Sequence, residues 1–181
     1  MKDKHATIQK NKVLFSFTGK KGVAHEVVIK NKKLARIVKQ CRDIPGKELF
    51  QYYLPGGKRK SIDSGMVNAY IQEAVGADFS TKDFRTWAGS LYAVEYFQKM
   101  GKLLPDTDIK KNIVLMLDEV SDKLGNTRNI CKKYYVHPVL ISLYGENKLL
   151  ACLDNPNSHL ITTPGLSKEE KALMQVLKTS V

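Results

Sequence analysis

Ser80-Thr81-Lys82-Asp83-Phe84-Arg85-Thr86-Trp87-Ala88-Gly89-Ser90 opens the longest helical pattern in the chain and decides how the rest is read. Ser80 and Asp83 have the spacing of a capping box, in which serine and carboxylate each satisfy a backbone N–H that the first helical turn leaves unpaired. A helix is therefore predicted over 80–100, stopped by Gly101. Phe84, Trp87 and Leu91 share one face and read as a core stripe. Lys82, Arg85 and Gly89 share another, at i, i+3 and i+7. Gly89 leaves that face bare, open to close approach beside Arg85. An arginine presents a rigid fork suited to phosphate oxygens. A surface ion pair to Asp83 or Glu95 explains the same residue equally well.

Downstream of this helix the pattern stays helical. Ile109, Ile113, Met116, Leu117, Val120 and Leu124 form an apolar stripe over about 107–124, ended by Gly125. Leu124-Gly125-Asn126-Thr127 reads by itself as a turn with cap hydrogen bonds. A short helix follows over 127–135, with Lys132-Lys133-Tyr134-Tyr135 ahead of Val136-His137-Pro138. On its own, a tyrosine beside lysines is a half-buried aromatic with its hydroxyl in water. A segment over 138–152 and a loop over 154–166 precede a terminal helix, capped by Ser167 and carrying Leu173, Val176 and Leu177.

Upstream, strands are predicted at 13–17 and 23–29, flanking the hairpin turn Thr18-Gly19-Lys20-Lys21-Gly22. A helix over 31–42 has Leu34, Ile37, Val38 and Cys41 on one face. A strand is expected from Leu49 to Tyr53, then the turn Pro55-Gly56-Gly57 and the basic run Lys58-Arg59-Lys60. A helix near 64–75 has Val67, Tyr70, Ile71 and Ala74 at helical spacing. The predicted fold class is α+β, mostly α: a small N-terminal hairpin or sheet followed by helices, with no linker between two domains.

Composition narrows the function. A chain of 181 residues, 43% hydrophobic, can build a core and is neither a disordered tail nor a disulfide mini-scaffold. No repeat marks a solenoid. No apolar run is long enough to span a bilayer, and the N-terminus has no signal-peptide pattern. Cys41, Cys131 and Cys152 are widely spaced, so neither a disulfide framework nor a zinc site is indicated, and a reduced, cytoplasmic protein is expected. Net charge is +12. Residues 1–60 hold 16 Lys and Arg against 4 Asp and Glu, while residues 61–181 are balanced at 14 against 14. Basicity confined to one third of a chain points to a polyanion, most often nucleic acid.

Several chemistries have no residues to carry them. Lys20 lies in GKKG, but no GxxxxGK[ST] phosphate loop is present. No GxSxG, HExxH or EF-hand loop occurs. His5, His25, His137 and His159 do not cluster at ligand spacing.

Taken in order, four segments resemble the C-terminal catalytic domain of type IB DNA topoisomerases, in their compact bacterial and poxvirus-like form. They are Phe17-Thr18-Gly19-Lys20, Lys82-Asp83-Phe84-Arg85-Thr86-Trp87, Leu124-Gly125-Asn126-Thr127, and Tyr135-Val136-His137-Pro138 nine residues beyond Asn126. The resemblance covers about residues 3 to 138. It implies that Tyr135 attacks a DNA phosphodiester to form a 3′-phosphotyrosyl link, that Arg85 binds the non-bridging oxygens, and that Lys20 protonates the departing 5′-oxygen. Asn126, where many relatives have His, would donate to a phosphate oxygen. Lys82 would be an accessory phosphate contact, and Lys21, Lys132, Lys58 and Arg59 further DNA contacts. The chemistry is coherent. Attack builds negative charge on equatorial oxygens, which fixed cationic and amide donors stabilise. A phenol, ionising near ~10, is a weak nucleophile until a cationic pocket favours the phenolate. The covalent link conserves the ester energy, so neither ATP, nor a metal, nor another cofactor is implied. The partner is duplex DNA and the protein a monomer away from membranes, at the nucleoid in a bacterium.

Relatives also place a catalytic arginine well upstream of the lysine hairpin. Here 19 residues precede Lys20 and none is Arg; the first arginine is Arg36. The family's N-terminal clamping domain has no counterpart. The expectation is a partial catalytic domain over 1–181, with a basic hairpin-bearing part over 1–62 and a helical part over 63–181 carrying Arg85, Asn126 and Tyr135. Such a chain is expected to be weak or inactive alone, with an N-terminal segment or partner chain supplying the arginine. Two other readings compete. A tyrosine recombinase shares the chemistry but normally shows His-x-x-Arg, where this chain has Gly125-Asn126-Thr127-Arg128. A non-catalytic DNA-binding module would keep the charge without the reaction.

Overall fold

The structure is a computed structural model that describes residues 1–19, 22–101, 108–154 and 164–179. Lys20, Lys21 and most of the loop expected over 154–166 lie outside the described residues. The chain divides into two compact units, Met1–Phe79 and Ser80–Val181.

In the first unit, β1 (Ala6–Gln9), β2 (Lys12–Thr18) and β3 (Ala24–Ile29) form an antiparallel sheet in that order. Val13 pairs with Ile29 and Phe17 with His25. Alternation along β2 buries Val13 and Phe15 and exposes Ser16 and Thr18. The β1 strand was not expected from the sequence; its register, Ala6 opposite Phe15 and Gln9 opposite Lys12, is set by β2. Helix α1 (Lys32–Arg42) starts where Asn31 Oδ1 accepts from the Leu34 N–H at 3.0 Å. It lays Ala35 and Val38 on the sheet, and Leu49 closes this small core. The expected stripe is therefore corrected, because Leu34 and Ile37 are exposed. Arg42, itself exposed, ties the end of the helix to the N-terminal segment: its Nε donates to Asp3 Oδ1 (2.6 Å) and its Nη2 to the Ala6 carbonyl (2.8 Å). A two-stranded hairpin follows, β4 (Gln51–Tyr53) and β5 (Arg59–Ser61). Helix α2 (Ser64–Val75) is capped by Asp63. No α2 residue is buried, so the apolar spacing of Val67, Tyr70, Ile71 and Ala74 does not mark a core face.

In the second unit, α3 (Thr81–Met100) begins as its capping box predicts: Asp83 Oδ2 accepts from the Ser80 N–H (2.9 Å) and hydroxyl (2.8 Å). These bonds hold the Asp83 carboxyl below its ordinary range. Phe84 is 61% exposed, which corrects the stripe assigned to it. The core begins a turn later, where α3 buries Gly89, Ser90, Ala93, Val94 and Phe97. Helix α4 (Ile109–Leu124) contributes Met116, Leu117 and Val120 as expected. A short helix α5 (Arg128–Ile130) runs directly into a π-helical turn, Cys131–Tyr135. Then come α6 (Pro138–Gly145), α7 (Leu149–Leu153) and α8 (Lys168–Thr179). Phe97 stacks on Tyr144 with ring centroids 3.9 Å apart, and the Tyr144 hydroxyl accepts from buried Asn112 Nδ2 at 2.9 Å. Leu173 and Val176 of α8 complete the core. Glu170 anchors that helix: one carboxylate oxygen accepts from the Ser167 N–H (2.7 Å) and the other from Trp87 Nε1 (3.1 Å). Among the described residues, no helix is long and apolar enough to cross a membrane.

Candidate active site

The C-terminus of α4 builds one wall of the site. Gly125 is left-handed at φ 59°, and the Asn126 N–H reaches back to the Ser121 carbonyl at 2.9 Å. This pattern closes a helix while leaving carbonyls of the last turn available. The Leu124 carbonyl takes two side-chain donors, Arg85 Nη2 at 2.5 Å and Asn126 Nδ2 at 3.3 Å. The guanidinium thus rests at the negative end of the α4 dipole, and Arg85 and Asn126 meet at one oxygen.

The opposite wall is the turn that carries the tyrosines. Thr127 Oγ1 caps α5 by accepting from the Ile130 N–H. Arg128 ties the same start to α4 with a two-pronged pair to Asp118, at 2.6 and 2.8 Å. After Ile130 the bonding lengthens to i−5, as in the 2.9 Å bond from the Val136 N–H to the Cys131 carbonyl. Cys131 is fully buried; burial pushes its thiol up, against a smaller opposing pull from Arg85. It packs as an apolar residue beneath the turn.

The two adjacent tyrosines have different surroundings. The Tyr134 ring is exposed between Lys82 Nζ at 5.5 Å and Lys133 Nζ at 5.1 Å from its centroid. The Tyr135 ring is partly buried, with the Arg85 guanidinium carbon 5.2 Å from its centroid. Arg85 Nε is buried and has no hydrogen-bond partner. A buried cationic donor without an acceptor is costly unless an anion arrives to take it.

Gly89 lies on the face beside Arg85, and the bare surface it creates is occupied. A Cβ at Gly89 would stand 2.5 Å from the Tyr135 carbonyl oxygen and 3.0 Å from the Tyr135 Cβ. The open approach read from the sequence is thus filled by the backbone of Tyr135 itself. Thr86 Oγ1 donates to the Tyr134 carbonyl at 3.1 Å, and Ser90 Oγ to the Tyr135 carbonyl at 3.4 Å. Sequence reasoning gave Thr86 and Ser90 no role. Their i, i+4 spacing along the Gly89 face was the available signal.

Arg85, Asn126, Tyr135, Lys82 and Lys132 all belong to the second unit, where the first three are brought together. Lys132 is exposed on the π turn. Lys58 and Arg59 belong to the first unit, exposed on the β4–β5 hairpin. Lys20 and Lys21 lie outside the described residues.

Comparison with known proteins identifies the family. The family described as "Eukaryotic DNA topoisomerase I, catalytic core" matches residues 1–148. The chain is similar to the DNA topoisomerase 1B of Acanthamoeba polyphaga mimivirus, 30% identical over 154 residues, covering 81% of this chain and 46% of that protein. It therefore spans less than half the length of this relative. With a match across most of its residues and an arginine, an asparagine and a tyrosine gathered at one helix end, the chain belongs to the type IB DNA topoisomerase family.

Proposed function

We propose that the chain carries the strand-cleaving and rejoining chemistry of a type IB topoisomerase on duplex DNA, with Tyr135 as the nucleophile. The observation that carries this reading is the Arg85 guanidinium beside the Tyr135 ring, with a buried Nε–H that has no acceptor. A scissile phosphate entering beside Tyr135 would supply that acceptor. Tyr135 Oη forms a bond to phosphorus, the bond from phosphorus to the 5′-oxygen breaks, and the 5′-oxygen leaves with a proton from Lys20. The phenolic proton passes to water. Arg85 and the Asn126 amide stabilise the charge that grows on the non-bridging oxygens. Lys82 and Lys132 contact flanking phosphates, while Lys21, Lys58 and Arg59 do the same from the basic first unit. The reverse attack by the 5′-hydroxyl restores the strand after rotation, so supercoils relax without ATP.

Covalent trapping tests the assignment. The chain is mixed with an end-labelled nicked duplex, quenched in denaturant, and examined for a shifted protein–DNA band. A band from the unaltered chain that Tyr135→Phe abolishes is expected, with salt-dependent binding to intact duplex retained. A band that persists in Tyr135→Phe removes Tyr135 as the nucleophile. Binding without any band, both from the chain alone and with an upstream arginine-bearing segment added in trans, reduces this chain to a DNA-binding module, whose log–log salt slope of about −0.9 per phosphate counts its contacts.

A further inference from the structure

Ser90, Asn112 and Ser121 are the buried polar side chains among the described residues. Asn112 bonds the Tyr144 hydroxyl, and Ser121 returns to its own helix at the Asp118 carbonyl. Ser90 differs from both, because its partners are backbone groups on either side of Val136. Its Oγ accepts from the His137 N–H at 3.0 Å and donates to the Tyr135 carbonyl at 3.4 Å. A hydroxyl has one proton and two lone pairs, so one side chain fills both roles at once.

The place matters. The π turn ends at Tyr135, and Val136 is extended at φ −102° and ψ 125°. The chain there leaves helical geometry and re-enters it at Pro138. Carbonyls at a helix end and the N–H beyond it have no helical partners. Thr86 takes the Tyr134 carbonyl, and Ser90 takes both the Tyr135 carbonyl and the His137 N–H. Gly89 permits the contact, since any Cβ there would meet the Tyr135 carbonyl. One face of α3 is therefore a receptor for the backbone of the turn, while Arg85 on the same helix lies beside the Tyr135 ring.

We propose that Ser90 is a positioning residue for the nucleophile: its hydroxyl bracket fixes the direction in which the chain leaves the π turn, and so aims the Tyr135 phenol at the phosphodiester held by Arg85. This rests on the assignment of Tyr135 as nucleophile. Ser90 touches neither substrate nor reacting atoms. It acts through the backbone of Tyr135 and His137. Because near-attack geometry is steep in distance and angle, a small swing of the turn is enough to lower the rate.

The test compares the unaltered chain, Ser90→Ala and Tyr135→Phe by single-turnover cleavage of a nicked duplex, by binding to intact duplex, and by amide exchange followed residue by residue. In Ser90→Ala the cleavage rate should fall about 10- to 100-fold while duplex affinity stays the same. The His137 amide should exchange about tenfold faster, with the α4 amides unchanged. A purely structural serine would instead loosen the whole unit, raising exchange across α3 and α4 together, and that result overturns the proposal. So does an unchanged His137 amide, whether or not the chain turns over. Should Tyr135→Phe still form an adduct, the nucleophile assignment fails, and a lower rate in Ser90→Ala would no longer bear on Tyr135. Should no form of the chain cleave, the Tyr135 ring resonances decide: movement toward free-chain values in Ser90→Ala, with the other tyrosines unmoved, sustains the proposal, and their constancy overturns it.

Discussion

The two units spend their residues differently. The second buries an extended core in which Phe97, Tyr144, Met116, Leu140 and Leu173 are all fully enclosed. Among its described residues the first buries only Ala6, Val13, Phe15, Ala35, Val38 and Leu49, and it carries the whole excess of positive charge within residues 1–60. Contacts to a phosphate backbone work through charge that decays over about 10 Å, so the groups that make them tolerate slack. A phosphoryl-transfer site does not, because its donors must stand where charge develops. Under the proposed function, packing is concentrated where geometry is strict, and charge where it is loose.

Four variants sharpen or break this contrast. The largest effect is expected from Phe97→Ala, which removes the ring stacked on Tyr144; it should cost about 3–5 kcal/mol by chemical denaturation. A smaller loss would mean that the second unit is less tightly built than its burial indicates. Gly89→Ala comes next. Alanine is the better helix former by about 1 kcal/mol, so α3 itself should gain. The added Cβ must push the Tyr135 backbone away, an overpacking cost that offsets or exceeds this gain, and the cleavage rate should drop about 100-fold while the denaturation midpoint falls far less than in Phe97→Ala. An undiminished rate would show that the turn yields without cost. Leu49→Ala in the first unit should cost about 2 kcal/mol, at the low end for a buried leucine, because so small a core can settle around the gap. A loss as large as that of Phe97→Ala would erase the contrast.

The smallest effect concerns Glu170. The Ser167 N–H, together with the indole of Trp87, holds its carboxyl below the ordinary value of 4.5. A carboxyl whose pKa is lower in the folded chain contributes stability above its unfolded value and loses it as pH falls through the folded one. Acidification below 4.5 should therefore shift the fluorescence of Trp87, the chain's single tryptophan, and Glu170→Gln should remove that step. A step that survives in Glu170→Gln would assign it to another group.

Local signals were legible where they act within one turn. The box at Ser80 and Asp83 and the Gly125 stop of α4 both follow from side-chain and backbone chemistry a few residues apart. The stripe of α4 was legible because its buried residues repeat at helical spacing. Leu34, Ile37 and Phe84 were misread because apolar spacing gives a face but not which part of it meets a neighbour, which tertiary packing decides. The π turn was hidden for another reason: helical periodicity assumes a ring closed at i−4, and nothing in Cys131-Lys132-Lys133-Tyr134-Tyr135 announces i−5. Arg85, Asn126 and Tyr135 were recognisable as a set only through the family resemblance, since the Leu124 carbonyl and the arginine–tyrosine contact that gather them are tertiary.

The π turn also sets the spacing that the chain must keep. Its i−5 ring holds one residue more than an α-helical ring would. Between the Arg128–Asp118 pair and the Ser90 bracket, the chain is fastened at both ends of a short arc. Were the ring to close at i−4 with all its residues kept, everything beyond it would swing by about 100° around the helix axis. The tyrosine would survive in the sequence but be carried off the arginine. Residue count and ring closure between Asn126 and Tyr135 thus work together as a gauge, and a segment one residue shorter should substitute only where its ring closes at i−4.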